Sequence, residues 1–120
     1  MVWPINRVRV GSLAPDFELP TAGTGDVKLR LSQLFHQGWV VLLFFPFSFS
    51  PACTQELATF QALLPRFTSL GATVVAVSVD SPFVLRAFAE RLGITFPLLS
   101  DFNRTAARRY GVLISRWGLH

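Results

Sequence analysis

The stretch Trp39-Val40-Val41-Leu42-Leu43-Phe44-Phe45 is apolar without interruption and is stopped by Pro46. A membrane-spanning helix needs roughly 20 apolar residues, so this run is too short to span a bilayer. A strand covered on both faces has this composition, and such strands belong to parallel sheets packed between helices. A second run, Thr73-Val74-Val75-Ala76-Val77-Ser78-Val79, is rich in β-branched residues and reads the same way. Phe96-Pro97-Leu98-Leu99-Ser100 reads as a short third strand.

Helical signals fill the intervals. Leu57, Phe60 and Leu64 recur at helical spacing after Cys53, with a kink expected at Pro65 and a stop at Gly71. Ser81-Pro82 offers a capping side chain followed by proline at the first helical position. Leu85, Phe88 and Leu92 mark the apolar face of that helix, and Gly93 ends it. Asn103 to Tyr110 reads as a last helix ended by Gly111. Upstream, Asp16-Phe17-Glu18-Leu19 and Val27-Lys28-Leu29-Arg30-Leu31 alternate polar and apolar residues around the turn-rich residues 20–26, which predicts a hairpin with one wet face. Ser32 is the expected cap of a short helical turn carrying Leu34 and Phe35. A hairpin followed by three strand–helix alternations is an α/β layout with a parallel core and right-handed crossovers.

A chain of 120 residues forms one domain at most, here residues 1–120. Its hydrophobic share of 51% with 12 phenylalanines excludes a disordered chain. Arginines interrupt the N-terminus and no apolar block precedes a small-residue cleavage site, so no secretory signal is read and the cytoplasm is the expected compartment. The formal charge of +4 is spread along the chain, densest at Arg104, Arg108 and Arg109. No recognised nucleic-acid motif or aromatic platform accompanies those arginines, and a solvated helix face is the favoured reading over nucleic-acid binding. His36 and His120 lack metal-ligand spacing with Cys53. Trp3 and Trp39 read as packing residues.

Cys53 is the single cysteine, so it forms no internal disulfide. In open α/β sheets ligands bind beyond the carboxyl ends of parallel strands, and Cys53 lies just beyond the end of the 39–45 run. With Ser50 as helix cap and Pro51 as first helical residue, Cys53 falls in the first turn, where free backbone N–H groups and the helix dipole favour negative charge. The Ser50 hydroxyl, three residues away, is within reach of the sulfur or of a substrate oxygen. A buried, inert core cysteine fits the same position. Taken alone, the residues leave both readings open.

Pro46-x-x-x-Ser50-x-x-Cys53 resembles the active-site signature of the peroxiredoxins, the alkyl hydroperoxide reductase and thiol-specific antioxidant family. The resemblance extends to Ala14-Pro15-Asp16-Phe17, to Glu56 three residues after the cysteine, and to Val77-Ser78-Val79-Asp80-Ser81. It continues through Phe96-Pro97-Leu98-Leu99-Ser100-Asp101 with Arg104 and Ala107, and ends with Tyr110-Gly111-Val112, covering about residues 8 to 112. It implies a thioredoxin-like fold and reduction of hydrogen peroxide or organic hydroperoxides. Cys53 would be the nucleophile that becomes a sulfenic acid, Ser50 would hold the peroxide, and Pro46 would shield the sulfur from water. Glu56 matches the family's pattern as a supporting residue. No cofactor or metal is implied. With no second cysteine, the reductant would be an external thiol or redoxin, as in one-cysteine peroxiredoxins.

Family members continue past the Tyr-Gly-Val segment with further strands and a long helix, so a fold shortened at the C-terminus, lacking the usual last strands and helix, is expected. The family's active-site arginine has no close match. Arg116 is the candidate after Gly111, and a solvated tail arginine is its favoured reading. The lost strands pair, in the family, with the strand before the cysteine, which leaves residues 39–45 as an apolar edge. Val112-Leu113-Ile114-Ser115 and a second copy of the chain, as a homodimer, are the candidate covers. A non-catalytic remnant acting as a binding or interaction domain is the alternative function.

Overall fold

The computed structural model describes residues 8–112. Trp3, Arg116 and the segment 113–115 therefore lie outside the described residues. Strands β1 (Glu18–Pro20) and β2 (Lys28–Arg30) form an antiparallel hairpin. β3 (Trp39–Phe44) leads into α1 (Pro51–Ser69), then β4 (Ala72–Ser78), α2 (Pro82–Leu92), β5 (Leu98–Ser100) and α3 (Thr105–Tyr110). The main sheet has the order β3-β4-β5, parallel throughout. The hairpin joins its β5 side through a bridge between Thr21 and Leu99 and a bond from the Ala22 N–H to the Leu98 carbonyl of 2.9 Å.

Each face of the sheet has its own core. On one, α1 and α2 bring Leu57, Leu85 and Phe88 onto Val74, Ala76 and Leu98, with Val41 and Leu43 of β3 at the margin. On the other, Phe17, Leu19, Leu31, Leu34 and Tyr110 close over Val75, Val77 and Leu99. The alternation of side chains along a strand sends successive residues of β4 to opposite cores, so β4 has to be apolar throughout.

β3 differs from the expectation of a strand covered on both faces. Five of its residues are half-buried and Trp39 is 79% exposed, because β4 pairs one side of the strand and no described strand pairs the other. Trp39 is thus not a core residue in this structure, and the expected open edge is present among the described residues.

One further expectation is corrected. Ser32 does not cap the turn after the hairpin. That turn is a 3-10 helix, Leu31–Gln37, and the Ser32 N–H is held by the Asp16 carboxylate at 2.9 Å, while Gln33 accepts from the Arg30 N–H at 3.4 Å. α1 continues through Pro65 to Ser69, where the Ser69 hydroxyl donates to the Pro65 carbonyl at 2.7 Å, and stops just before Gly71. The cap of α2 by Ser81 and its left-handed end at Gly93 are as the sequence predicts.

Glycine is required at one close approach. Gly38 and Gly71 immediately precede the paired residues Trp39 and Ala72. A Cβ built on Gly38 would lie 2.5 Å from the Gly71 carbonyl oxygen, and its φ of 112° is unfavourable for other residues.

Tyr110 fastens the N-terminal segment to α3. Its hydroxyl donates to the Pro15 carbonyl at 2.6 Å, and its ring meets Phe17 edge-on with centroids 5.9 Å apart. Beside it, Arg109 donates to the Asp16 carbonyl at 2.7 Å. Burial, reinforced by the Asp16 carboxylate, pushes the Tyr110 phenol up to about 12. Burial also opposes ionisation of Asp16, but hydrogen bonds from Ser32, Phe17 and Arg30 outweigh it and lower its pKa. A raised phenol pKa stabilises the fold below pH about 10, the ordinary tyrosine value, and that contribution is lost as pH rises through about 12. Urea unfolding of the native chain and of Tyr110→Phe at pH 9 and pH 11 checks this. The variant is less stable by about 1 kcal/mol at pH 9, the worth of one hydrogen bond, and the gap narrows or reverses at pH 11.

Candidate active site

The carboxyl end of β3 turns into α1 through Phe45-Pro46-Phe47-Ser48-Phe49-Ser50. The Phe45 N–H donates to the Val77 carbonyl at 3.0 Å, so the ladder with β4 continues one residue past the strand. Pro46 has no N–H to extend it, and the chain leaves the sheet there. Pro46, Phe47 and Phe49 are exposed. Phe49 has φ 66°, a left-handed conformation that is costly for a bulky residue. Its ring lies edge-on to Phe88 with centroids 5.0 Å apart.

Ser50 caps α1 as the sequence predicts. Its Oγ accepts from the Cys53 N–H at 3.3 Å and donates to the Phe47 carbonyl at 3.2 Å. The bond to residue 53 thus runs through the backbone, and the hydroxyl proton is directed to Phe47. Pro51 occupies the first turn, where an absent N–H costs nothing. Cys53 follows in that turn, 4% exposed, among Phe45, Leu57, Phe88 and Phe96.

The structure brings Pro46, Ser50 and Cys53 onto one loop and helix start, as expected. Glu56 is on α1 one turn later and is exposed. Arg104 lies at a cleft of about 480 Å³ lined also by Phe44, Pro46, Phe47, Val77 and Asp101. Cys53 does not line that cleft. No group of three histidine, cysteine or acidic residues is placed to hold a metal ion among the described residues.

Sequence reasoning assigned no role to two carboxylates that shape this end of the sheet. Asp101 is 1% exposed and caps α3, accepting from Ala106 N–H at 3.0 Å and Ala107 N–H at 2.8 Å. Asp80 accepts from the Ser48 N–H at 2.6 Å and from the Ser78 hydroxyl at 3.3 Å. Asp101 follows directly on β5 and Asp80 comes two residues after β4, and that placement was the available signal: an acid at a strand's carboxyl end faces loop and helix N–H groups left without partners.

The AhpC/TSA family model matches residues 10–120. The chain is 38% identical over 113 residues to the selenocysteine-containing peroxiredoxin PrxU of Peptoclostridium acidaminophilum, covering 88% of this chain and 55% of that one. It is 37% identical over 101 residues to peroxiredoxin Bcp of Xanthomonas campestris, covering 83% and 62%. Among solved structures, peroxidoxin BcpB from Mycobacterium tuberculosis superposes with a TM-score of 0.83 at 37% identity, covering 90% of this chain and 69% of that one. These coverages amount to between about half and about two thirds of the relatives' own lengths. The thioredoxin-like architecture, shortened relative to them, and the match along nearly the whole sequence place the chain in the AhpC/TSA family, the peroxiredoxins.

Proposed function

We propose that the chain is a thiol peroxidase in which Cys53 reduces hydrogen peroxide or an organic hydroperoxide. The observation that carries this reading is the placement of Cys53 in the first turn of α1, beyond the carboxyl end of a parallel strand, with Ser50 as its cap and Pro46 at the strand exit. The thiolate sulfur attacks one peroxide oxygen and the O–O bond breaks. The departing oxygen takes a proton and leaves as water or an alcohol, and the sulfur is oxidised by two electrons to a sulfenic acid. An external thiol or redoxin condenses with the sulfenic acid, releasing water, and a second thiol reduces the mixed disulfide. Ser50 serves the peroxide by turning its hydroxyl from the Phe47 carbonyl, and Pro46 screens the sulfur from water. A cytoplasmic setting, rich in small thiols, suits this cycle. A homodimer is a suitable assembly, since the free edge of β3 offers an apolar surface.

The burial of Cys53 and the open edge of β3 favour a second reading, a non-catalytic interaction domain. Stopped-flow reaction with hydrogen peroxide separates the two. The native chain is expected to react at least about a hundred-fold faster than free cysteine, the scale of assistance a fixed site provides, and Cys53→Ser not at all. A native rate equal to that of free cysteine rejects the peroxidase.

Ser50→Ala removes both the acceptor for the Cys53 N–H and the donor to Phe47. It is expected to cost about 1 kcal/mol of stability in urea unfolding and to slow the peroxide reaction. Ser50→Thr, which keeps the hydroxyl, retains most of both.

A further inference from the structure

We propose that Asp80 is the positioning residue of the cysteine loop: its carboxylate latches Ser48 to the end of β4 and so fixes where Cys53 presents its sulfur. This rests on the peroxidase reading above. The connection is a continuous series of bonds. At the far side of the sheet, the Ser100 hydroxyl donates to the Asp80 carbonyl at 2.6 Å. The Asp80 N–H donates to the Ser78 Oγ at 3.2 Å, and that hydroxyl returns a bond to the Asp80 carboxylate at 3.3 Å, which sets the orientation of the acid. The same carboxylate oxygen accepts from the Ser48 N–H at 2.6 Å. One residue before Ser48, the Phe47 carbonyl accepts from Ser50, whose oxygen in turn accepts from the Cys53 N–H.

Two features show that the loop needs such a latch. Phe49 is held at φ 66° between Ser48 and Ser50, a conformation that persists only where the surroundings impose it. The Ser48 hydroxyl is buried and makes no hydrogen bond with the described residues, so that side chain contributes no tie of its own. The grip on Ser48 therefore comes through its N–H. A short bond from an N–H to an ionised carboxylate is of the stronger kind. Asp80 lies two residues beyond the end of β4, so it positions Cys53 without belonging to the helix that carries it.

Asp80→Ala and Asp80→Asn test the assignment, read by stopped-flow oxidation with hydrogen peroxide and by residue-level hydrogen exchange. Alanine removes the acceptor, whereas the asparagine carbonyl can still receive the Ser48 N–H. The expected result is a loss of about ten-fold or more in the rate of Cys53 oxidation for the alanine variant, equivalent to about 1.4 kcal/mol, with substantial recovery in asparagine. The Ser48 amide exchanges faster in alanine, while the amides of Val75 and Leu57 keep their protection. Rates in Asp80→Ala equal to those of the native chain overturn the proposal. So does a loss of rate accompanied by loss of protection at Val75, which would make Asp80 a residue of general stability only. If the native chain itself fails to outpace free cysteine, the peroxidase reading falls. The exchange of the Ser48 amide then still decides whether the latch exists: faster exchange in alanine alone supports it, and unchanged exchange overturns it.

Discussion

The parallel register of β3 on β4 is the constraint on which the rest of the molecule depends. Trp39 stands opposite Ala72 and Phe44 opposite Val77, with every intervening pair aligned. Parallel strands cannot be joined by a tight turn and need a crossover that covers a face of the sheet. α1 is that crossover, and its first turn has to form at the carboxyl end of β3. The position of Cys53 follows from the register: if β3 were shifted by one residue, Val41 and Leu43 would exchange cores with Val40 and Leu42, and the loop would start from the wrong face.

The polar groups at the strand ends follow a common rule. Asp16, Asp80 and Asp101 each accept backbone N–H groups that the sheet and helices leave unpaired. Removing a carboxylate from water is costly unless several donors surround it. Asp101 meets that condition while almost wholly buried, with the Thr105 hydroxyl as a third donor at 3.2 Å. α3 has only six residues, and its start is determined by that acid and by the left-handed turn at Arg104 more than by any propensity of its own.

The elements whose outcome depends on neighbouring residues in the chain were legible in the sequence. β4 is a β-branched run, α2 carries its own serine cap, proline and terminal glycine, and Ser50-Pro51 marks the start of α1. Cys53, Ser50 and Pro46 could be grouped for the same reason, since they lie within eight residues of each other. Contacts across the chain were not legible. The partner of the Ser32 N–H is Asp16, on the far side of the hairpin, and the partner of the Ser48 N–H is Asp80, reached only after a helix and a strand. The exposure of Trp39 was hidden for a related reason: an apolar run has the same composition whether one or both of its edges are paired.

Gly38 lets the entrance of β3 come closer to the Gly71 carbonyl, at the entrance of β4, than a side chain at residue 38 permits. β3 is a stiff rod about 20 Å long, with this crowded joint at one tip and the sulfur-bearing loop at the other. A methyl group at residue 38 would touch none of the groups that meet a peroxide. It would nevertheless act as a lever, tilting the rod at its base and carrying the nucleophile off its mark at the opposite tip.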